Sequence, residues 1–436
     1  MTGEPHTPMR ALRLQFTVLV AGLALVVPEC TSAQEAAPQD STADEQDRPL
    51  YLEGFRLYGS VRGQVAYYLR TTELQGNASR IGFRLTRDFF DSGIQVFGQV
   101  ELGFRIIDDI ANFNVSGNQE GFGKLDLVRG RDPVFPRLGF VGFDFGAFGL
   151  LAAGKQWSTY YDVSGFTDRF WVFGGTASGT YLHTTDGGGM GTGRANKAVT
   201  YRNRIGGLTL GVQAQLEADR LTGLGSIGGS GQYSFPFGLS VGAAANFGDV
   251  PRVVAESILG AKQEESAIVL GVSVSQPRWY AAVSYSIQSA HDFRTVDTLT
   301  VVFDAKGLES FAYYDLDRRF RISGGFNYLA PDPIPPIDPD FRVRYGVLGG
   351  SFYFNAQTLI YAEYRIEDSV NANGDWEPNA LVVGVRLDFG LPELQRNDAP
   401  PLRFPESQTT GDNTVNDGQD QTAYRRPKSE APEGHV

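Results

Sequence analysis

Between Phe55 and Phe389 the chain repeatedly alternates apolar and polar residues one by one. In Phe55 to Arg70, the residues Phe55, Leu57, Gly59, Val61, Gly63, Val65, Tyr67 and Leu69 fall on one face. Arg56, Tyr58, Ser60, Arg62, Gln64, Ala66, Tyr68 and Arg70 fall on the other. A period of two is a strand with two unlike faces, and about fifteen residues far exceeds the ~5–6 of a usual globular strand. The pattern recurs in Ile94–Ile106, Leu208–Leu216, Leu239–Phe247, Trp279–Ile287, Phe341–Phe354, Leu359–Ile366 and Leu381–Phe389.

The punctuation between these segments is as regular as the segments. Tight turns are expected near Phe90–Gly93, Gly146-Ala147, Ile205–Gly207, Phe235–Gly238, Gln276-Pro277, Asp315–Arg318 and Asn355-Ala356. Longer polar connections are expected at Thr71–Ala78, Asp108–Phe135, Gln156–Asn196, Ala218–Gly225, Asp249–Glu264, Ser289–Lys306, Ala330–Asp340 and Asp368–Asn379. Short and long connections in strict alternation predict about sixteen antiparallel strands in an up-and-down transmembrane β-barrel. A strand of ~10 residues, rising ~3.3 Å each and tilted ~45°, spans roughly 25 Å. That crosses the hydrocarbon layer.

Composition agrees. With 42% apolar residues, a mean hydropathy of −0.21 and no long apolar run beyond the N-terminus, a bundle of membrane helices is excluded. A barrel is not, because alternation dilutes its apolar residues. The 53 glycines, 12% aromatics and single cysteine argue against a disulfide-stapled scaffold, and a net charge of −12 argues against a nucleic-acid partner. A soluble sandwich would also alternate. Here, however, the polar face carries Arg, Gln, Tyr and Glu, as a wet lumen would. Aromatics gather at strand ends (Tyr67-Tyr68, Phe89-Phe90, Phe235, Phe237, Trp279-Tyr280, Phe352–Phe354), where membrane girdles sit.

The ends differ from the middle. Arg10 and Arg13, an uncharged stretch from Leu14 to Pro28 and the small residues Thr31–Ala33 make residues 1–33 a secretory signal. Residues 34–54 form a polar lead. Residues 55–390 are the expected barrel, carrying a net charge of only −4, and residues 391–436 a polar tail of disordered composition. Cleavage after Ala33 would remove Cys30, leaving no cysteine for a disulfide or thiolate.

Local motifs then resemble the general Gram-negative bacterial porins, trimeric sixteen-stranded outer-membrane diffusion channels. They are Leu57-Tyr58-Gly59, Ser79–Phe83, Arg137–Gly142, Tyr161–Val163, Phe166–Asp168, Phe173–Gly175 and Thr200–Asn203. They cover the first half of the barrel; the second half resembles the family by pattern alone. The resemblance implies that the third loop, Gln156–Asn196, folds into the barrel with Phe173-Gly174-Gly175 near its tip. It implies a constriction in which Arg80, Arg137 and Arg194 on the wall face Asp168 on the loop. Val172 stands where the family has a second acid, so the constriction should be less cation-selective than in relatives. Arg62 and Arg84, on the polar faces of their strands, would extend the basic ladder. The competing reading is that these arginines merely pair with neighbouring acids.

The resemblance also implies a homotrimer in outer-membrane lipid that passes small hydrophilic solutes and ions and is not an enzyme. The alternative is a substrate-specific channel for sugars or anions on the same architecture. No catalytic, cofactor or metal constellation is expected. Gly223–Gly228 spells GxGxxG but lacks a following helix and reads as a loop. The four histidines are scattered, with His291-Asp292 expected on an outer loop and no nucleophile beside them.

Overall fold

A computed structural model describes residues 54–105, 107, 133–182, 185–217, 224–296 and 298–390. The expected signal, nearly all of the lead, the tail and most of the expected Asp108–Phe135 connection lie outside the described residues. Among the described residues seventeen strands form one antiparallel sheet. In chain order they are β1 (Phe55–Tyr68), β2 (Thr71–Gly76), β3 (Ser79–Asp88), β4 (Gln95–Phe104), β5 (Val134–Asp144), β6 (Leu150–Trp157), β7 (Arg194–Ile205), β8 (Leu208–Leu216) and β9 (Leu224–Ser234). There follow β10 (Leu239–Asp249), β11 (Glu264–Gln276), β12 (Trp279–Val296), β13 (Leu299–Asp315), β14 (Phe320–Asp332), β15 (Val343–Asn355), β16 (Thr358–Glu367) and β17 (Ala380–Phe389).

β17 pairs with β1 from Gly59↔Phe389 to Tyr68↔Ala380, which closes the sheet. β2 and β3 occupy one position beside β1, broken at Asn77 and Ala78, so the closed barrel has sixteen staves. The sidedness follows the alternation. On β17, Leu381, Val383, Val385, Leu387 and Phe389 are exposed, while Ala380, Val382, Arg386 and Asp388 are buried. The same inversion holds on β1, with Leu57, Val61 and Val65 outside and Tyr58, Ser60, Arg62 and Gln64 inside. An apolar outer surface around a polar interior is stable only where lipid is the outer solvent. At the strand ends Phe90, Phe237 and Phe354 point outward as expected. Tyr68 and Tyr280 turn inward.

The seven expected tight turns all fall between strands. Two expected long loops do not exist. Thr71–Gly76 is strand β2, reached through a two-residue turn in which Leu69 and Arg70 both take positive φ, 49° and 63°. Turns of this hand usually carry Asn-Gly or Gly, so Leu-Arg gave no warning. Ser289–Lys306 lies largely within β12 and β13, which run on past the apolar band as a long hairpin. A register shift between Gln288 and Asp292, with Ala290 at φ 46°, breaks the alternation there and mimics a loop. His291-Asp292 therefore lies on β12, fully buried.

The GxGxxG stretch is also not a loop: from Leu224 onward it is strand β9. Gly228 lies close to its neighbours. A Cβ on Gly228 would lie 2.7 Å from Asn246 Oδ1 and 3.2 Å from Thr159 Oγ1.

Candidate functional site

The polar inner face carries its charges in two groups. The first starts with Glu101 on β4. Its Oε1 lies 2.6 Å from Arg137 Nε on β5 and 3.8 Å from Arg80 Nη1 on β3. Its Oε2 accepts a hydrogen bond from Tyr58 Oη at 3.1 Å. Arg194, the first residue of β7, meets Asp186 at 3.2 Å, and Lys155 meets the same carboxylate oxygen at 2.8 Å. Arg62 on β1 donates through Nε to Ser60 Oγ at 2.7 Å. Arg84 sits on the same face with its guanidinium 5.5 Å from the Phe97 ring centroid.

The second group holds the segment between β6 and β7. It opens with a single helical turn, α1 (Tyr161–Ser164), and is buried along most of its described length. Two glutamates of the wall accept its backbone N–H groups. Glu363 on β16 accepts from Trp171 at 2.7 Å, Val172 at 2.9 Å and Phe173 at 3.2 Å. Glu309 on β13 accepts from Ala177 at 2.7 Å and Ser178 at 2.9 Å, and from Thr167 Oγ1 at 2.8 Å. Trp171 donates through Nε1 to Ser351 Oγ at 2.8 Å and stacks on Tyr361, and Tyr345 Oη donates to the Phe173 carbonyl at 3.1 Å.

The expected tip residues Phe173, Gly174 and Gly175 lie in this latched stretch. Gly175 takes φ 75°, a conformation that favours glycine. Close approach to the wall, however, is provided by the wall's own glycines. A Cβ on Gly307 would strike the Ala177 carbonyl, and one on Gly325 the Phe170 ring, whereas Gly174 abuts only Phe170 of its own segment.

Asp168 accepts hydrogen bonds from Tyr161 Oη and Tyr181 Oη, both at 2.8 Å. Burial pushes its carboxyl above the ordinary aspartate range. Those two hydroxyls, with Arg194 and Arg169 nearby, act in the opposite direction. Among the described residues it forms no ion pair. The carboxylate in direct contact with Arg80 and Arg137 is instead Glu101, on the wall. The sequence pattern gave no role to Glu101, Asp186, Glu309, Glu363, Arg386 or Asp388. Alternation marks all of the strand residues among these as inward-facing, but it does not pair them.

A closed antiparallel barrel with an apolar outside and a charged inside defines a transmembrane β-barrel channel. The family model for the Gram-negative porin matches residues 18–386. The chain belongs to the Gram-negative porins, channels of the outer membrane. It is 25% identical to outer membrane porin N of Escherichia coli strain K12 over 376 residues, covering 76% of this chain and 91% of that one. Its fold is similar to that of Salmonella typhi OmpF, solved in complex with daunomycin, with a TM-score of 0.63, 20% identity and coverage of 77% and 97%. It is also similar to the trimer form of Vibrio cholerae OmpT, with a TM-score of 0.52, 16% identity and coverage of 77% and 99%.

Proposed function

We propose that the segment between β6 and β7 narrows a water-filled lumen, and that the remaining passage for small hydrophilic solutes and ions favours anions. The segment's contacts to Glu309 and Glu363 hold it to the β13–β16 side. Arg62, Arg80, Arg137, Arg194 and Arg386 stand on the adjoining arc of wall, where the segment's Asp186 meets Arg194 and its Trp171 ring lies 5.2 Å from the Arg386 guanidinium. The observation that carries the reading is charge imbalance on that arc. Among the described residues five arginines stand there near the carboxylates of Glu101, Asp388 and Asp186, and Asp186 is shared with Lys155.

Val172 adds no carboxylate at the tip. Opposed charges in a constriction orient dipolar solutes and set the sign of the permeant ion. Assembly as a homotrimer, as the solved Vibrio cholerae OmpT forms, belongs to the same proposal. The test is the reversal potential of the purified protein in a planar bilayer under a potassium chloride gradient. A potential on the chloride side supports the reading; one on the potassium side rejects it.

A further inference from the structure

Across the register shift on β12, Ala290, His291 and Asp292 are all buried. Unbroken alternation would have turned His291 outward with Val283, Tyr285 and Ile287. The bulge turns it inward instead, on a stretch of β12 that has already run past the apolar band. There the ring stands between the wall and the internal segment. Its Nδ1 lies 3.3 Å from Glu265 Oε2 on β11, and its Nε2 lies 2.9 Å from the Gly179 carbonyl of the segment.

Both of those partners are acceptors. A neutral imidazole has one N–H and one lone pair, so either tautomer sets its lone pair against an oxygen. Imidazolium donates to both. Thr192 Oγ1, 3.5 Å from Nε2, already donates to the Thr180 carbonyl at 3.2 Å. The charged groups around the ring come from several elements. Glu265 faces it from β11, and Asp292 follows it on β12, with Arg294 Nη1 2.8 Å from each Asp292 oxygen. Asp304 on β13 accepts from Ala290 N at 2.7 Å and from Lys262 Nζ at 2.8 Å. β10 contributes Gly248, where a Cβ would strike Glu265 Oε1. Burial alone would push the imidazole below its ordinary value; Glu265 and the Gly179 carbonyl outweigh it and hold it above.

The adjacent attachment of the segment has the opposite chemistry. Glu309 takes the backbone N–H groups of Ala177 and Ser178 as an acceptor, whereas His291 takes the next carbonyl, that of Gly179, as a donor.

We propose that His291 is a proton-operated clamp, fastening Gly179 to the wall as imidazolium and releasing it when the ring loses its proton. Because the folded value is raised, the clamp contributes in full below the ordinary histidine value of about 6.5 and is lost as pH rises through the folded value. Its effect on current rests on the reading that the segment narrows the lumen: a released stretch would make the passage fluctuate above neutral pH.

The test follows amide exchange at Gly179 to Leu182 in the full-length protein in detergent, from about pH 6 to about pH 9, corrected for the intrinsic rate. Open-channel noise is recorded in planar bilayers over the same range. Corrected exchange should rise about tenfold, the loss of roughly one charge-assisted hydrogen bond, and noise should rise with it. His291→Gln does not titrate, so its exchange should be raised and flat throughout. Glu265→Gln removes the carboxylate that favours the charged ring and should move the transition to lower pH. A merely structural Glu265 would leave that midpoint in place, so this variant serves if His291→Gln does not assemble. Flat exchange in the wild type, an equal rise in His291→Gln, or an unmoved midpoint in Glu265→Gln overturns the clamp. Exchange that rises while noise stays constant keeps the clamp and removes the reading that the segment narrows the lumen.

Discussion

Arg137 Nε lies 2.6 Å from Glu101 Oε1 because Arg137 is the extra residue of a β-bulge. The ladder between β4 and β5 pairs Leu102 with Pro136 and Glu101 with Leu138, skipping Arg137. Gly139, Val141 and Phe143 face outward, so unbroken alternation would have turned Arg137 toward lipid. A cation there would cost ~2–4 kcal/mol near the midplane. The bulge turns Arg137 and Leu138 both inward.

Glu101→Gln should therefore act on stability and selectivity together. Removing one partner of a buried ion pair costs about 3 kcal/mol, so the variant should unfold at a lower temperature on a heat-modifiability gel. Its reversal potential should move toward chloride. Combining it with Arg137→Ala should cost less than the two single changes added together.

Arg137→Ala with Arg194→Ala removes two of the five arginines from that arc of wall. The reversal potential in a salt gradient should shift toward cation selectivity, and conductance should rise because two long side chains leave the narrow zone. An unchanged reversal potential would assign these arginines to structural pairing alone.

Glu363 accepts three backbone N–H groups from residues 171–173. In Glu363→Gln one of the two acceptor oxygens becomes a donor, and at least one of those N–H groups loses its partner. The latch should weaken by about 1–3 kcal/mol. Open-channel current noise should increase, while the barrel itself, held by its ladders, should still assemble as a heat-modifiable species.

Asp168 carries the pH signature of the internal segment. Its carboxyl is raised chiefly by burial. A raised carboxyl contributes stability in full below its ordinary value and loses that contribution as pH rises through the folded value. Asp168→Asn should accordingly raise the unfolding temperature at about pH 7 and change it little at about pH 3. Equal shifts at both pH values would count against a buried, charged Asp168.

A chain truncated after Gly390 should still form the barrel, since the closing pair is complete at Gly59↔Phe389. Absence of a folded, heat-modifiable band from that truncation would show that residues 391–436 are needed for assembly.

The barrel was legible because lipid enforces alternation residue by residue, as Leu381 to Phe389 on β17 illustrate. Turns were legible where glycine or proline marked them, as at Gly206-Gly207 and Pro277. The turn at Leu69-Arg70 was not, because its residues carry no such mark. The hairpin beyond Ser289 was missed for a related reason: past the apolar band there is no lipid to impose a hydrophobic face, so His291, Asp292 and Arg294 read as loop. Pairing was the least legible level. Glu101 and Arg137 lie 36 positions apart in the sequence, and their contact depends on a bulge that period-two reading cannot see. Glu363 and the Trp171–Phe173 backbone are more distant still.

The partnership of β1 with β17 carries a consequence for biogenesis. Until the final stave has been synthesised and exported, β1 presents a bare row of amides and carbonyls, a ready template for aggregation. No shorter precursor can seal itself. The whole polypeptide must be kept from sticking during its transit, and its insertion must finish by joining its first-made strand to its last.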